Sequence, residues 1–256
     1  MFVVKYSDTF HTGRLDVTAA IVPFAQESDG GLVGRVVRTV NERIRTDRLR
    51  SGDPIPAEAT FATELSVSRT VVREAFRALA TLGIINLVNG RRARVGIIDE
   101  DVLGLVLDHA VHTDQVSIQQ IFDVRRTIEM RTVALAALRR SEAEAEKICS
   151  HAAAMRDAFH RPDEVMDHDI AFHTAIGNAS RNPLFALIVG SFHVVTRQTW
   201  RIGWESRPTD ADRLANVDCH ERIAAAIEAR QPRVAEIAMA EHFDQTVKAL
   251  LSAGVI

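Results

Sequence analysis

The sequence predicts a mainly α fold: an N-terminal winged helix-turn-helix followed by an all-helical antiparallel bundle of six or seven helices. Three observations carry this. Apolar residues recur at helical spacing along nearly the whole chain. The strongest hairpin signal, Asn89-Gly90, closes a run of three short helices. After Asp101 no stretch alternates as a strand would, and Pro and Gly fall between helical runs.

Residues 1–30 have no clear period and end in Ser28-Asp29-Gly30-Gly31, so they are expected to form a weakly ordered arm. From Leu32, Val33, Val36, Val37, Val40 and Ile44 mark a first helix ending near Leu49. Arg50-Ser51-Gly52-Asp53-Pro54 is a turn. Pro56 is expected to open a second helix, with Glu58 in its first turn and Phe61, Ala62 and Leu65 facing inward. Ser68 is a suitable N-cap for a third helix, 69–82, buried through Val71, Val72, Ala75, Phe76 and Leu79 and stopped by Gly83. Strands are expected at 84–88 and 92–97. Helix, helix, helix and hairpin is the order of a winged helix-turn-helix, assigned to residues 31–98.

Residues 99–256 form the second unit. Helices are expected near 101–112, 117–139, 141–159, 163–178, 183–204, 211–229 and 232–252. Breaks fall at Arg161-Pro162, Asn182-Pro183, Arg207-Pro208 and Gln231-Pro232.

Charge divides the same way. The chain has 256 residues and a formal net charge of −3. Residues 31–95 carry 12 Arg, no Lys and 6 acids, a net of +6, whereas 96–256 carry −7. A basic module on an acidic body suits a protein that meets a polyanion at one end. No apolar run reaches the ~18 residues that span a bilayer, and there is no convincing signal peptide. The expected location is the cytoplasm. Cys149 and Cys219 are too few and too far apart to suggest a disulfide framework.

On the third helix Arg69, Arg73 and Arg77 are spaced by four and share a face opposite Val72, Phe76 and Leu79. With Thr70 they are the candidate contacts to double-stranded DNA, since Arg binds phosphates or grips guanine with two prongs. At the hairpin, Asn89, Gly90, Arg91 and Arg92 are the candidate contacts of the wing. Two recognition helices one DNA turn apart imply a homodimer on a near-palindromic operator.

In the second unit Asp169 and His173 point the same way from one helix. His220 lies 11 residues before Gln231 and His242 11 after it, so an antiparallel hairpin about that break brings both imidazoles to one height. Ile223, Ala224 and Ile227 on one arm, and Ile237, Ala238 and Val247 on the other, are the expected inward neighbours. One Asp and three His suit a divalent cation with positions left open. Two locally hydrogen-bonded core histidines are an equal reading of the spacing alone, and His168, His193 and Cys219 are weaker alternatives.

Pro54-Ile55-Pro56-Ala57-Glu58, Phe61 to Ala75, and Leu82-Gly83-Ile84-Ile85 resemble the GntR family of bacterial regulators. That resemblance implies DNA contacts at Arg69 and Arg73 and a wing tip at Asn89-Gly90. Ala59 stands where members often carry a basic residue, which implies one contact fewer. Phe122 to Glu129, Asp169 to His173, Asn182-Pro183-Leu184, His220 to Ile223 and Glu241-His242-Phe243 resemble the FCD effector domain of FadR-type members. The resemblance implies that Asp169, His173, His220 and His242 hold a metal, zinc or nickel. It also implies an effector that is a small carboxylate or sugar acid, and an inward Arg125 able to meet its carboxylate. A salt bridge from Arg125 to Glu129, four residues on, is the plain alternative. Trp200-Arg201-Ile202-Gly203-Trp204 is left between closing a pocket and joining an interface.

The function expected is a metabolite-responsive transcription regulator, a repressor more often than not in such families. One alternative is a metal-dependent hydrolase fused to a DNA-binding module, with Glu221 or Glu241 as its base. Another is a general nucleic-acid-packaging protein.

Overall fold

The computed structural model describes residues 31–88 and 91–255. The expected arm at 1–30 and the wing-tip residues Asn89 and Gly90 lie outside them.

The first unit contains α1 (Gly31–Thr46), α2 (Glu58–Leu65), α3 (Arg69–Thr81), β1 (Ile85–Asn86) and β2 (Arg94–Val95). Its own core joins Val36 and Val40 of α1, Phe61 of α2, and Val72, Ala75, Phe76 and Leu79 of α3, closed by Ile85 and Ala93. Phe61 meets Phe76 edge to face at 5.7 Å. Ser66 turns the chain between α2 and α3 with φ 53°. The Ser68 hydroxyl then caps α3 by accepting from the Val71 N–H at 3.3 Å. Pro56 does not open α2. It stands outside the helix, and Ala57 is the N-cap with no side chain to offer, so Glu58 alone serves the helix start.

The hairpin is shorter than expected, pairing Ile85 with Val95 and Asn86 with Arg94. The β2 backbone is also bonded to the α1–α2 turn, through Gly52 N to Val95 O, Val95 N to Asp53 O and Ile55 N to Ala93 O, each at 2.9 Å. Gly96 is required here, because a Cβ would stand 2.0 Å from the Gly83 carbonyl oxygen.

The second unit holds eight helices rather than six or seven: α4 (Glu100–His112), α5 (Ile118–Arg139), α6 (Glu142–Asp157), α7 (Pro162–Ala179), α8 (Pro183–Ser191), α9 (His193–Glu205), α10 (Asp210–Glu228) and α11 (Pro232–Ser252). The extra helix comes from the 183–204 stretch, which breaks at Phe192. There the Ser191 hydroxyl donates to Ile188 O at 2.7 Å, and His193 Nδ1 lies 2.9 Å from Gly190 O. Side chains thus occupy carbonyls that a continuous helix would use. Capping boxes start α5 (Ser117/Gln120), α6 (Ser141/Glu144) and α10 (Thr209/Asp212).

Helix α5 lies against α11 and α7, α10 against α11 and α6, and α4 crosses α8 and α9. The core runs through Phe122, Met155, Phe172, Phe192, Ile223, Met239 and Phe243. No described helix is long and apolar enough to cross a membrane.

Candidate metal centre and nucleic-acid interface

On α3 the face opposite the buried stripe presents Arg69, Thr70, Arg73 and Arg77 to solvent. Arg73 leans toward Glu58 of α2 at 3.7 Å, a loose pair that leaves its fork accessible. Arg91 and Arg92 are exposed beside the hairpin. Arg94 is spent internally, donating to Gly52 O at 2.6 Å. Exposed arginines thus stand on α3 and beside the hairpin, and also on and just after α1 at Arg35, Arg38, Arg45, Arg48 and Arg50.

Asp169 and His173 of α7, His220 of α10 and His242 of α11 are all buried, and each offers a ligand atom within 4.8 Å of the others. Proton accounting tests whether a cation fits. Both ring nitrogens of His220 face acceptors: Nδ1 lies 2.8 Å from Asn216 O, and Nε2 2.9 Å from Asp169 Oδ1. A neutral imidazole has only one N–H to give. A divalent cation between Nε2 and Asp169 satisfies both nitrogens, as would a second ring proton. His173 donates through Nδ1 to Glu129, and its buried Nε2, 3.9 Å from Asp169 Oδ1, has no hydrogen-bond partner. His242 Nδ1 is likewise buried and unpartnered. Orphaned ring nitrogens aimed at one point suit a divalent ion.

Electrostatics act unevenly on these groups: burial would lower the His173 imidazole, but Glu129 and Asp169 outweigh it and push it above its ordinary value in the metal-free protein. Burial, then the neighbouring His220 and His173, push the His242 imidazole well below its ordinary value, so it is neutral. Burial raises the Asp169 carboxyl, but the hydrogen bond from His220 and the charge of His173 outweigh it and hold it below its usual range.

The cluster opens, through Asp169 and His242, on a small cavity of about 40 Å³. Arg125, Thr196, Asn216 and Thr246 supply polar walls, and Phe122 and Phe243 apolar ones. Arg125 is buried among the rings of Phe122, Phe192 and Phe243, 5.3 to 5.6 Å from their centroids. Its Nε donates to Glu129 Oε1 and its Nη1 to Thr196 Oγ1, both at 2.9 Å. The ion pair with Glu129 is thus present, and the guanidinium still faces the cavity.

The family model for bacterial regulatory proteins of the gntR family matches residues 32–95, and that for the FCD domain matches residues 120–245. The transcriptional regulator LutR of Bacillus subtilis (strain 168) is 30% identical over 203 residues, covering 78% of this chain and 92% of its own length. The chain belongs to the GntR family. Another relative in the family, the repressor NanR of Cronobacter sakazakii (strain ATCC BAA-894), is 26% identical over 218 residues, 82% of this chain and 81% of that one. A solved GntR structure from Streptococcus agalactiae shares the fold, with TM-score 0.58 at 24% identity over 84% of this chain and 99% of that one.

This GntR-family chain is accordingly a DNA-binding transcription regulator with an FCD effector domain, and not an enzyme. The groups considered as hydrolytic bases are engaged elsewhere: Glu221 pairs with Arg156 at 2.6 Å and Glu241 with Arg222 at 2.7 Å. Of the alternative ligands, His168 lies beside His151, His193 beside Asp101, and the Cys219 thiol donates to Ala238 O. Trp200 and Gly203 line the cavity, and Trp200 Nε1 donates to Pro162 O at 3.1 Å.

One inward residue was misplaced. Ile237 is half exposed, because α11 turns Ala235, Ala238, Met239, His242 and Phe243 to the core instead. Glu129 was seen only as a partner of Arg125, and Asn216, Thr196 and Arg207 were missed. An i,i−4 search from His220 would have found Asn216. Nothing local marks the other two.

Proposed function

We propose that the chain is a metabolite-responsive repressor that binds a near-palindromic operator as a homodimer. Its operator affinity is set by a small carboxylate or sugar acid lying beside a divalent metal ion, zinc or nickel. Asp169, His173, His220 and His242 would hold the ion. Arg69, Thr70, Arg73, Arg77, Arg91 and Arg92 would meet the DNA, and Arg125 the effector carboxylate.

The observation that carries the sensing half is the pair of buried, unpartnered ring nitrogens of His173 and His242, clustered with Asp169 and His220 at the edge of a polar cavity. When bound, the ion supplies a Lewis-acidic anchor for an anionic oxygen. This chain's residues do the rest. Glu129 holds the His173 ring by its Nδ1–H, and the Asn216 carbonyl fixes the tautomer of His220. The aromatic walls around Arg125 exclude water, which strengthens its hold on a carboxylate. Repression is favoured by the likeness to NanR, a transcriptional repressor.

An effector acts only through different affinities for the DNA-competent and DNA-incompetent arrangements. A thermal-shift screen of organic and sugar acids, with and without chelator, tests the reading. Stabilisation by an acid that vanishes on chelation is expected. A protein whose stability and acid binding ignore chelator and added zinc or nickel alike would refute it.

A further inference from the structure

We propose that the effector of this chain is a dianion with two separated anionic groups, and that Arg207 binds the second of them. This rests on the reading of the cavity as the effector site.

Two guanidinium groups face the cavity, and they are not equivalent. Arg125 is already matched, in a buried 2.9 Å pair with Glu129 and a bond to Thr196. Arg207 follows the end of α9 and is only partly buried. It donates to the Gly203 carbonyl, and among the described residues no carboxylate pairs with it. The acids that act on it from further away are committed elsewhere. Asp169 belongs to the ligand cluster, and Asp212 accepts from the Thr209 hydroxyl and N–H in the α10 cap.

Its position is that of a doorpost. Arg207 lines both the inner cavity and an outer groove that also holds Pro208, Asp212, Gln245 and Lys248. Arg207 is thus the one guanidinium that both linings share among the described residues. Burial holds the Arg207 guanidinium below its ordinary value, a sign that water serves it poorly.

Charge counting gives the ligand class. In the loaded site a divalent ion, Arg125 and Arg207 face Asp169 and Glu129, with the three imidazoles neutral as ligands. Positive charge therefore exceeds negative by two. A monoanion at the ion leaves one cation without a partner in a water-poor site, which is costly. A ligand with one anionic end at the ion and Arg125 and the other at Arg207 closes the balance. Diacids meet this balance, and phosphorylated monoacids place the same two separated anionic groups with up to about one charge more.

Isothermal titration of the metal-loaded full chain tests it. The probes are succinate, glutarate and galactarate, their monoacid counterparts butyrate, valerate and gluconate, and 3-phosphoglycerate. Some dianion should bind about tenfold or more tightly than its monoacid counterpart. A preference for 3-phosphoglycerate over every diacid would assign the second group as phosphate. Arg207→Gln should erase the preference while leaving monoacid affinity unchanged, and Arg207→Lys should retain part of it. Monoacids binding as tightly as dianions, or Arg207→Gln weakening both classes equally, overturns the proposal. Binding of no acid by loaded or chelated protein instead overturns the effector reading itself, and the dianion with it. Should Arg207→Gln lose its helical circular dichroism, the wild-type comparison and Arg207→Lys decide.

Discussion

Arg125 and Glu129 stand one turn apart on α5 and pair at 2.9 Å inside the bundle, and the second Glu129 oxygen takes the Nδ1–H of His173. One carboxylate therefore serves both the guanidinium proposed to meet the effector and an imidazole of the candidate metal cluster. Glu129→Gln should weaken metal binding by roughly 10–100-fold, the usual cost of losing such a support. It also leaves Arg125 buried without its counter-charge, at a cost of about 3–5 kcal/mol. Competition with a chromophoric chelator reads the first effect, and denaturant unfolding of metal-free protein the second.

The same carboxylate gives an acid signature. Burial alone would raise the Glu129 carboxyl, but His173 and Arg125 hold it below its ordinary 4.5. A depressed folded value means that its stabilisation is complete above that ordinary value. It is lost as pH falls through the folded one. Metal-free wild type should lose stability steeply below about pH 4.5, and Glu129→Gln should flatten that limb. Parallel acid limbs in the two proteins would contradict the assignment.

Chelation should lower the melting temperature. A ligand present at a thousand times its Kd adds about 4 kcal/mol, and for a chain of this size each kcal/mol is worth roughly 2–4 °C. A fall of about 10 °C on metal removal, reversed by zinc or nickel, is expected from differential scanning fluorimetry. His242→Gln should show no such response.

The α3 arginines should separate from the wing by their salt dependence. Arg69→Ala and Arg73→Ala should each cost about 1–3 kcal/mol on a selected operator and relax its sequence preference. Arg92→Ala should weaken all duplexes alike and reduce the slope of log K against log salt by about 0.9. Fluorescence anisotropy over a salt series distinguishes these outcomes.

Gly96→Ala tests the short hairpin. Its Cβ would meet the Gly83 carbonyl at 2.0 Å, backbone that cannot rotate away. Overpacking of this kind costs roughly 1–3 kcal/mol or more. The variant should keep its effector and metal binding and lose affinity for DNA.

The boundaries of the helices were legible because caps and periodicity are local. Ser68, Gly83 and the prolines at 162, 183 and 232 mark ends that the fold uses. That Asp169, His173, His220 and His242 would cluster was legible for a similar reason. One pair shares a turn of α7, and the other follows from symmetry about Gln231. The break at Phe192 was not, since neither Pro nor Gly stands there and it arises from Ser191 and His193 competing for carbonyls. Glu129 reaches His173 across 44 residues, and Arg207 reaches the cavity only through the packing of α9 on α11. Ile237 failed because a heptad count fixes a helical face only to within a residue.

Between the end of β2 at Val95 and the start of α4 at Glu100 lie just four residues. Even fully stretched, such a leash pays out about 13 Å. Two copies bound side by side on DNA could not drift to suit an arbitrary gap between half-sites. The interval an operator must match would be dictated by where the α4 helices emerge, so lengthening residues 96–99 should loosen the protein's sense of spacing before it blunts its reading of bases.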